Sequence, residues 1–222
     1  MSVEWMRNKG PRGKGGWQGR MNGPAERILA MVLAGGLARR MGGGAKPLVP
    51  LGGRPLLAHL LGRLRPQVAS VSINANDRVE EYRSFGLAVL ADSLPDRPGP
   101  LAGILVALDW AAEEGATRVL TVPGDTPFLP PDLVVRLAAA DAPAVIARSA
   151  GRRHPAVGLW PVAAREALRV AIRDEGLRRV EDWVDRLGAV AVDFPAMPVD
   201  PFFNVNDPDD LAEAERLLVQ SL

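Results

Sequence analysis

The chain has 222 residues, of which 47% are hydrophobic and 24% charged, with a formal net charge of +1 at pH 7. This length suits one domain with ample core, and the absence of cysteine excludes a disulfide framework and a thiolate metal site. No apolar run approaches the ~20 residues of a membrane helix, and the start of the chain lacks the pattern of a secretory leader. We therefore expect a soluble cytoplasmic protein without a membrane partner.

The first part of the chain differs from the rest in charge. Residues 1–23 carry five Lys and Arg against one Glu, so the remainder is net acidic. Because this Gly-rich, basic segment has little to bury, we expect residues 1–26 to be a disordered extension and residues 27–222 to be the folded domain. A nucleic-acid arm is the alternative, but tails of this kind are usually solvated, so we expect no nucleic-acid partner.

Apolar segments of strand length alternate with longer helical patterns, which predicts a parallel α/β sheet with crossover helices. Asp207 as N-cap and Pro208 in the first turn predict where the last helix begins. Residues 95–100 read as a long exposed loop. The predicted strands are Ile28–Leu33, Val68–Asn74, Leu87–Ala91, Arg118–Pro123, Ala144–Arg148, Ala156–Trp160 and Ala189–Asp193. The predicted helices are Leu56–Leu64, Pro100–Glu113, Pro131–Ala140, Ala163–Ile172, Leu177–Leu187 and Pro208–Val219.

The segment after the first predicted strand combines glycines with cations. Gly35 and Gly36 leave backbone amides bare, and Arg40 and Lys46 follow within a dozen residues. Bare amides and cations at the entry to a helix favour an anion. Pro47 directly after Lys46 excludes the G-x-x-x-x-G-K-[ST] phosphate loop. The alternative is a Gly-rich turn with solvated arginines.

Polar residues follow four of the predicted strands, at Gly35, Asn74, Asp92 and Asp125. In open α/β sheets, ligands bind outside the carboxyl ends of the strands, so these motifs predict one ligand-binding edge. Asp125 suits Mg²⁺, which prefers oxygen ligands and bridges to substrate phosphates. The alternatives are an Asx turn or helix cap at Asp125 and a turn residue at Asn74.

Several motifs together carry a resemblance to one protein family, over the chain from about Ile28 onward. They resemble, in order and spacing, those of the molybdenum cofactor guanylyltransferases, which join GMP to molybdopterin. The opening motif is L-A-G-G-x-x-x-R-M-G followed by Lys46 and P-L. The later motifs are Asn74-Ala75-Asn76, Asp92-Ser93-Leu94, Gly99-Pro100-Leu101-Ala102-Gly103, Pro123-Gly124-Asp125-Thr126-Pro127 and Phe203-Asn204-Val205-Asn206.

The resemblance implies a single three-layer, Rossmann-like nucleotidyltransferase domain with a mostly parallel, mixed sheet. It implies GTP and molybdopterin as substrates, with Mg²⁺ on Asp125 and catalytic charges on Arg40, Lys46 and Asp125. Further partners implied are other cofactor-biosynthesis proteins and recipient molybdoenzymes. The GTP-binding residues implied are Leu33, Ala34, Gly35, Gly36, Lys46, Asn74, Asp92 and Asp125. The residues implied on the molybdopterin side are Gly99, Gly103, Arg178, Arg179, Asn204 and Asn206.

Some residues leave room for other interpretations. Ala45 stands where the family commonly has an acidic residue, so what holds Lys46 is open. Arg178 and Arg179 also fit a solvated helix face, Asn206 also fits a cap, and His154 reads as structural.

The rival functions are a molybdopterin cytidylyltransferase, a nucleotidyltransferase acting on a sugar-type phosphate, and a non-catalytic nucleotide-binding subunit. The intact Lys46 and Asp125 argue against the non-catalytic subunit, and F-N-V-N argues against the sister enzymes. A nicotinamide dehydrogenase is disfavoured because the second strand ends in Asn74-Ala75-Asn76 rather than an acidic residue.

Overall fold

A computed structural model of the chain describes residues 27–35, 44–94 and 99–220. The expected N-terminal extension, Gly36, Arg40 and most of the predicted loop at 95–100 lie outside these residues. Within the described ranges, no helix combines the length and apolar character needed to cross a bilayer.

The described elements alternate along the chain as the hydrophobic pattern predicts. The strands are β1 (Leu29–Leu33), β2 (Pro50–Leu51), β3 (Arg54–Pro55), β4 (Ser70–Asn74), β5 (Ala88–Leu90), β6 (Arg118–Pro123), β7 (Val145–Ser149), β8 (Arg152–Pro161) and β9 (Val190–Phe194). The α-helices are α1 (Leu56–Leu64), α2 (Val79–Arg83), α3 (Pro100–Glu113), α4 (Leu133–Ala138), α5 (Arg165–Arg173), α6 (Val180–Leu187) and α7 (Pro208–Gln220).

Seven strands form the central sheet in the order β5-β4-β1-β6-β8-β7-β9. Every neighbouring pair is parallel except the two pairs that include β8, which runs antiparallel to both β6 and β7. The expectation of a mostly parallel, mixed sheet is confirmed. Because β8 runs antiparallel to its neighbours, it ends at the amino edge of the sheet, and α5 starts there.

The sheet separates two hydrophobic cores, as the side-chain alternation of β1 illustrates. Ala30 and Val32 pack with α1 and α4, whereas Leu29 and Met31 pack with α3, α5 and α6. Successive side chains of a strand point to opposite faces, so one buried strand contributes to both layers. A third, smaller core joins the β2–β3 hairpin to α7, with members Leu51, Leu56, Phe128, Val205 and Ala214.

The structure corrects the sequence-based boundaries in several places. The helix predicted from Leu177 begins at Val180, and the strand predicted from Ala156 begins at Arg152 because it pairs with β7 as well as β6. The predicted capping of α7 is confirmed, since Asp207 Oδ1 accepts the backbone N–H of Asp210 at 3.0 Å. The pattern did not predict β2, β3 and α2, which have two, two and five residues.

Candidate active site

The carboxyl ends of four parallel strands lie level with one another. Leu33 pairs with Asn74 and Pro123, and Asn74 pairs with Leu90. The motifs that follow these strands border a cavity of about 670 Å³, a volume typical of small-molecule sites. The predicted convergence of the strand-end motifs on one edge is therefore confirmed.

Most of the described residues predicted for the site border this cavity. Asn206, Gly103, Arg178 and Arg179 do not line it, and Gly36 and Arg40 lie outside the described residues. The lining residues that the sequence predicted are Leu33, Ala34, Gly35, Lys46, Asn74, Asp92, Gly99, Asp125 and Asn204.

One end of the cavity is built around the carboxylate of Asp92. Two amide side chains donate hydrogen bonds to this carboxylate. Asn74 Nδ2 donates to Asp92 Oδ1 at 2.9 Å and to the carbonyl of Leu90 at 3.2 Å. Asn76 Nδ2 donates to Asp92 Oδ2 at 2.8 Å, and Asn76 Oδ1 accepts the backbone N–H of Asp92 at 2.8 Å. Among the described residues, each carboxylate oxygen accepts one side-chain hydrogen bond, which leaves it able to accept another from a ligand. We call Asn74, Asn76 and Asp92 the acceptor corner.

Asn74 holds Asp92 rather than facing the ligand freely, because it is only 5% exposed. Its Oδ1 lies against Gly103 of α3, where an added Cβ would stand 2.5 Å away. Gly103 is thus enclosed beneath Asn74 and Leu33. This placement contradicts the predicted role of Gly103 as an approach point for a second substrate, and assigns it to the packing of the acceptor corner.

The other end of the cavity holds an ion pair between Lys46 and Asp125. Lys46 Nζ lies 3.6 Å from Asp125 Oδ2, and the two side chains are only 18% and 15% exposed. Gly124 allows this approach, since a Cβ there would stand 2.7 Å from Cγ of Pro47. A largely desolvated cation beside a carboxylate is suited to developing charge on a phosphate, because the surroundings need little reorganisation.

Two amides from one extended segment hold the two members of this pair. Asn204 Nδ2 donates to Asp125 Oδ1 at 3.0 Å, and Lys46 Nζ donates to Asn206 Oδ1 at 2.6 Å. The backbone N–H of Val205 between them donates to the Asp125 carbonyl at 3.0 Å. Asn206 therefore supplies the anchor for Lys46 that Ala45 does not provide, and it acts through the lysine rather than as a helix cap.

Burial raises the pKa of Asp125, while the nearby Lys46 ammonium and the Asn204 hydrogen bond oppose that rise. The lysine and the amide thus favour the ionised carboxylate that a cation requires. No group of three His, Cys, Asp or Glu side chains in the described part of the chain is placed to hold a metal. Asp125 nevertheless fits Mg²⁺, which binds through one or two carboxylates when substrate phosphates and water supply the remaining oxygens.

The rim above the acceptor corner contains residues that the sequence did not single out. Tyr82 and Arg78 both line the cavity. Burial raises the pKa of Tyr82, and its hydroxyl donates to the carbonyl of Ala34 at 3.3 Å. Arg78 has a left-handed backbone with φ of 55° and pairs with Glu81 at 3.0 Å. In the sequence, a tyrosine at helical spacing is typical of a core residue. No sequence signal predicts that an arginine adopts a left-handed backbone conformation.

Arg178 and Arg179 lie on the α5–α6 connection rather than inside a helix. Both are exposed, and Arg178 Nη1 donates to the carbonyls of Ile172 and Leu177 at 3.0 and 2.8 Å. The alternative of a solvated helix face does not hold for either residue, since α6 begins at Val180.

Comparison with known proteins identifies the family of the chain. A family described as "MobA-like NTP transferase domain" matches residues 30–190. A molybdenum cofactor guanylyltransferase from Mesorhizobium japonicum is 52% identical over 199 residues, which cover 86% of this chain and 96% of the relative. The chain belongs to the molybdenum cofactor guanylyltransferase family. Another family member, from a Bradyrhizobium species, is 49% identical over 196 residues, covering 86% and 92% of the two chains.

Solved structures place this guanylyltransferase family member within a wider nucleotidyltransferase fold. Molybdopterin-guanine dinucleotide biosynthesis protein A from Archaeoglobus fulgidus matches with a TM-score of 0.68 and 25% identity, covering 87% of this chain and 99% of that one. A 4-diphosphocytidyl-2C-methyl-D-erythritol synthase from Anaerococcus prevotii matches with a TM-score of 0.70 at 13% identity, covering 87% and 96%. The second likeness concerns the fold alone.

Proposed function

We propose that this chain transfers GMP from GTP to the terminal phosphate of molybdopterin, releasing pyrophosphate and forming the molybdopterin guanine dinucleotide. The observation that carries the proposal is one cavity with an acceptor corner at one end and a held Lys46–Asp125 pair at the other. Such a cavity suits a nucleotide, because the nucleoside needs hydrogen-bond acceptors and the phosphates need positive charge. The 52% identity to a named guanylyltransferase supports guanine as the base.

The acceptor corner binds the nucleoside in this proposal. Each Asp92 oxygen can accept more than one hydrogen bond, and a carboxylate can accept from guanine N1–H and the 2-amino group, or from ribose hydroxyls. The amide donors of Asn74 and Asn76 fix the carboxylate plane, so the acceptors are oriented before the nucleotide arrives. Leu33, Ala34 and Gly35 supply backbone contacts beside it.

The triphosphate lies toward Lys46, with Arg40 and Gly36 assigned as further anion contacts on the preceding segment. An oxygen of the molybdopterin phosphate forms a bond to the α-phosphorus while the bond to the pyrophosphate oxygen breaks in line. Lys46 stabilises the charge that builds on the phosphoryl oxygens. Because the nucleophile is already an anion, no protein nucleophile is required.

Mg²⁺, held by Asp125 together with phosphate oxygens, would supply further charge stabilisation at the transferring group. Asn204 orients the Asp125 carboxylate, and Asn206 orients the Lys46 ammonium. Gly99 borders the cavity and is assigned to molybdopterin, as are Arg178 and Arg179, whose guanidinium groups suit its anionic groups. A cytoplasmic location, and delivery of the product to recipient molybdoenzymes, complete the proposal.

Pyrophosphate release with GTP, CTP, ATP and UTP, each with and without molybdopterin, tests this function. We expect release only with GTP and molybdopterin together, and only with a divalent cation present. Asp125→Asn should abolish release, whereas the matched control Asp141→Asn, which removes an exposed carboxylate, should not. Equal turnover with CTP would instead favour the sister cytidylyltransferase, and no turnover with any pair would overturn the proposal.

A further inference from the structure

A second polar network lies beside the segment that carries Asn204. Ser149 Oγ donates to Asp200 Oδ1 at 2.8 Å and lies 2.7 Å from His154 Nε2. Because an ionised carboxylate only accepts, the serine proton points to Asp200, and the histidine donates its Nε2–H to the serine. Ser149 is 0% exposed and His154 9% exposed. We call these three residues the clasp.

The clasp contains the residue types of a nucleophilic triad but not its arrangement. In such a triad the histidine stands between serine and carboxylate and accepts the serine proton. Here the serine stands in the middle, its proton points to the carboxylate, and no part of its side chain reaches solvent. This order gives no activated nucleophile, so the clasp acts by holding structure.

The clasp holds the start of the extended segment. Asp200 Oδ1 also accepts the backbone N–H of Phe202 at 3.0 Å. The ring of Phe202 packs on His154 with centroids 4.8 Å apart, and meets Phe194 edge-on at 5.2 Å. Ser149 ends β7 and His154 lies near the start of β8, so the segment is tied to the rigid carboxyl edge of the sheet.

The chain passes directly from the clasp into the site. Asn204 follows Phe202 by two residues and donates to Asp125, while Asn206 accepts from Lys46. The segment therefore has one attachment in the sheet and another at the ion pair, with a single short extended run between them. A catalytic group displaced by about 1 Å can lose about 100-fold in rate.

We propose that Ser149, His154 and Asp200 are positioning residues for phosphoryl transfer, fixing the segment whose two amides hold Asp125 and Lys46. This inference rests on the proposed guanylyl transfer. Because the clasp touches neither the acceptor corner nor the cavity, its loss acts on turnover more than on nucleotide affinity.

The test compares Asp200→Ala with Asp200→Asn. Asparagine keeps an Oδ1 acceptor for the Phe202 N–H and the Ser149 hydroxyl, whereas alanine keeps none. We expect Asp200→Ala to lower kcat about 10- to 100-fold, to change KM for GTP less than about threefold, and to speed amide hydrogen exchange in residues 202–206. Asp200→Asn should recover most of the turnover and of the exchange protection.

Ser149→Ala provides an independent second variant, and Gln67→Ala provides the matched control. Gln67 makes three side-chain hydrogen bonds, to Arg63, Pro130 and Val134, beside the amino end of β4. The control should lose stability but keep the wild-type kcat and the wild-type exchange in residues 202–206.

If Asp200→Ala and Ser149→Ala lose stability while kcat and the exchange of residues 202–206 stay as in the control, the clasp is structural only and the inference is overturned. Equal damage from Asp200→Ala and Asp200→Asn would overturn it too. A wild-type protein that transfers no guanylyl group would refute the proposed function instead. The exchange measurement would still report whether the clasp holds the segment.

Discussion

Gly103→Ala tests how the acceptor corner is built. Gly103 lies in α3 with its Cα against Asn74 and Leu33. An added Cβ would stand 2.5 Å from Asn74 Oδ1 and 2.7 Å from Leu33 Cδ2, whereas ordinary contacts lie near 3.5–4.0 Å. Asn74 is buried and Leu33 is half-buried, so the substitution must displace Asn74, Leu33 or the helix.

Two opposing effects set the magnitude. Alanine in place of glycine inside a helix normally gains about 0.5–1 kcal/mol. Overpacking of this kind costs about 1–3 kcal/mol, so the net result is a loss of up to about 2 kcal/mol. Displacing Asn74 also breaks its hydrogen bond to Asp92, and such bonds to charged groups contribute about 1.5–3 kcal/mol. If the free energy of this hydrogen bond is lost from GTP binding, the GTP affinity falls about 10- to 100-fold.

Gly62→Ala is the matched control, because Gly62 also lies in a helix but has nothing within 4 Å of an added Cβ. We expect that variant to gain about 0.5–1 kcal/mol and to bind GTP as the wild type does. Urea unfolding measures the stabilities and titration calorimetry measures the GTP affinities. A Gly103→Ala protein as stable as Gly62→Ala, with unchanged GTP affinity, would refute the packing of α3 against Asn74 as the support of Asp92.

Three further substitutions address the ion pair and the acceptor corner. Burial raises the pKa of Asp125, so its ionisation costs stability as pH rises from the ordinary Asp range through the raised value. Asp125→Asn should therefore resist urea better than the wild type at pH 8, and this gain in stability should shrink toward pH 4. Its turnover should fall about 10³-fold. A variant that is less stable than the wild type at pH 8 would contradict this reasoning. Asn206→Ala removes the acceptor of Lys46 Nζ and should lower kcat about tenfold in pyrophosphate release, and an unchanged kcat would show that Lys46 needs no anchor. Asn76→Ala should weaken GTP binding about tenfold by calorimetry, and wild-type affinity would show that Asn74 alone holds Asp92.

The sequence predicted the sheet well because each central strand has a strong signal of its own. Apolar runs end at Asn74 and Pro123, and both ends were placed where the structure has them. The level ends of parallel strands then follow from geometry alone, which is why Asp92 and Asp125 were correctly expected at one edge.

What the sequence missed depends on contacts between distant residues or on short elements. The β2–β3 hairpin has two residues per strand, too few for any alternation to appear. The hydrogen bonds between Asn76 and Asp92 require β4 and β5 to be paired in register, and no local sequence pattern reveals that pairing. Gly103 resembled a substrate loop in sequence, and only the three-dimensional packing assigns it to the support of Asn74.

The two amides that hold the ion pair come from the far end of the chain. Lys46 and Asn206 are 160 residues apart in sequence, and Asn204 and Asp125 are 79 apart. During synthesis the amino-terminal part of a protein emerges first, whereas a domain generally folds as a unit. The growing chain therefore contains β1, β4 and the residues of the acceptor corner well before the segment that holds Lys46 and Asp125 has been made. An unfinished chain without this segment would lack the anchors of both Lys46 and Asp125, so the phosphoryl-transfer end of the site is the last to be completed.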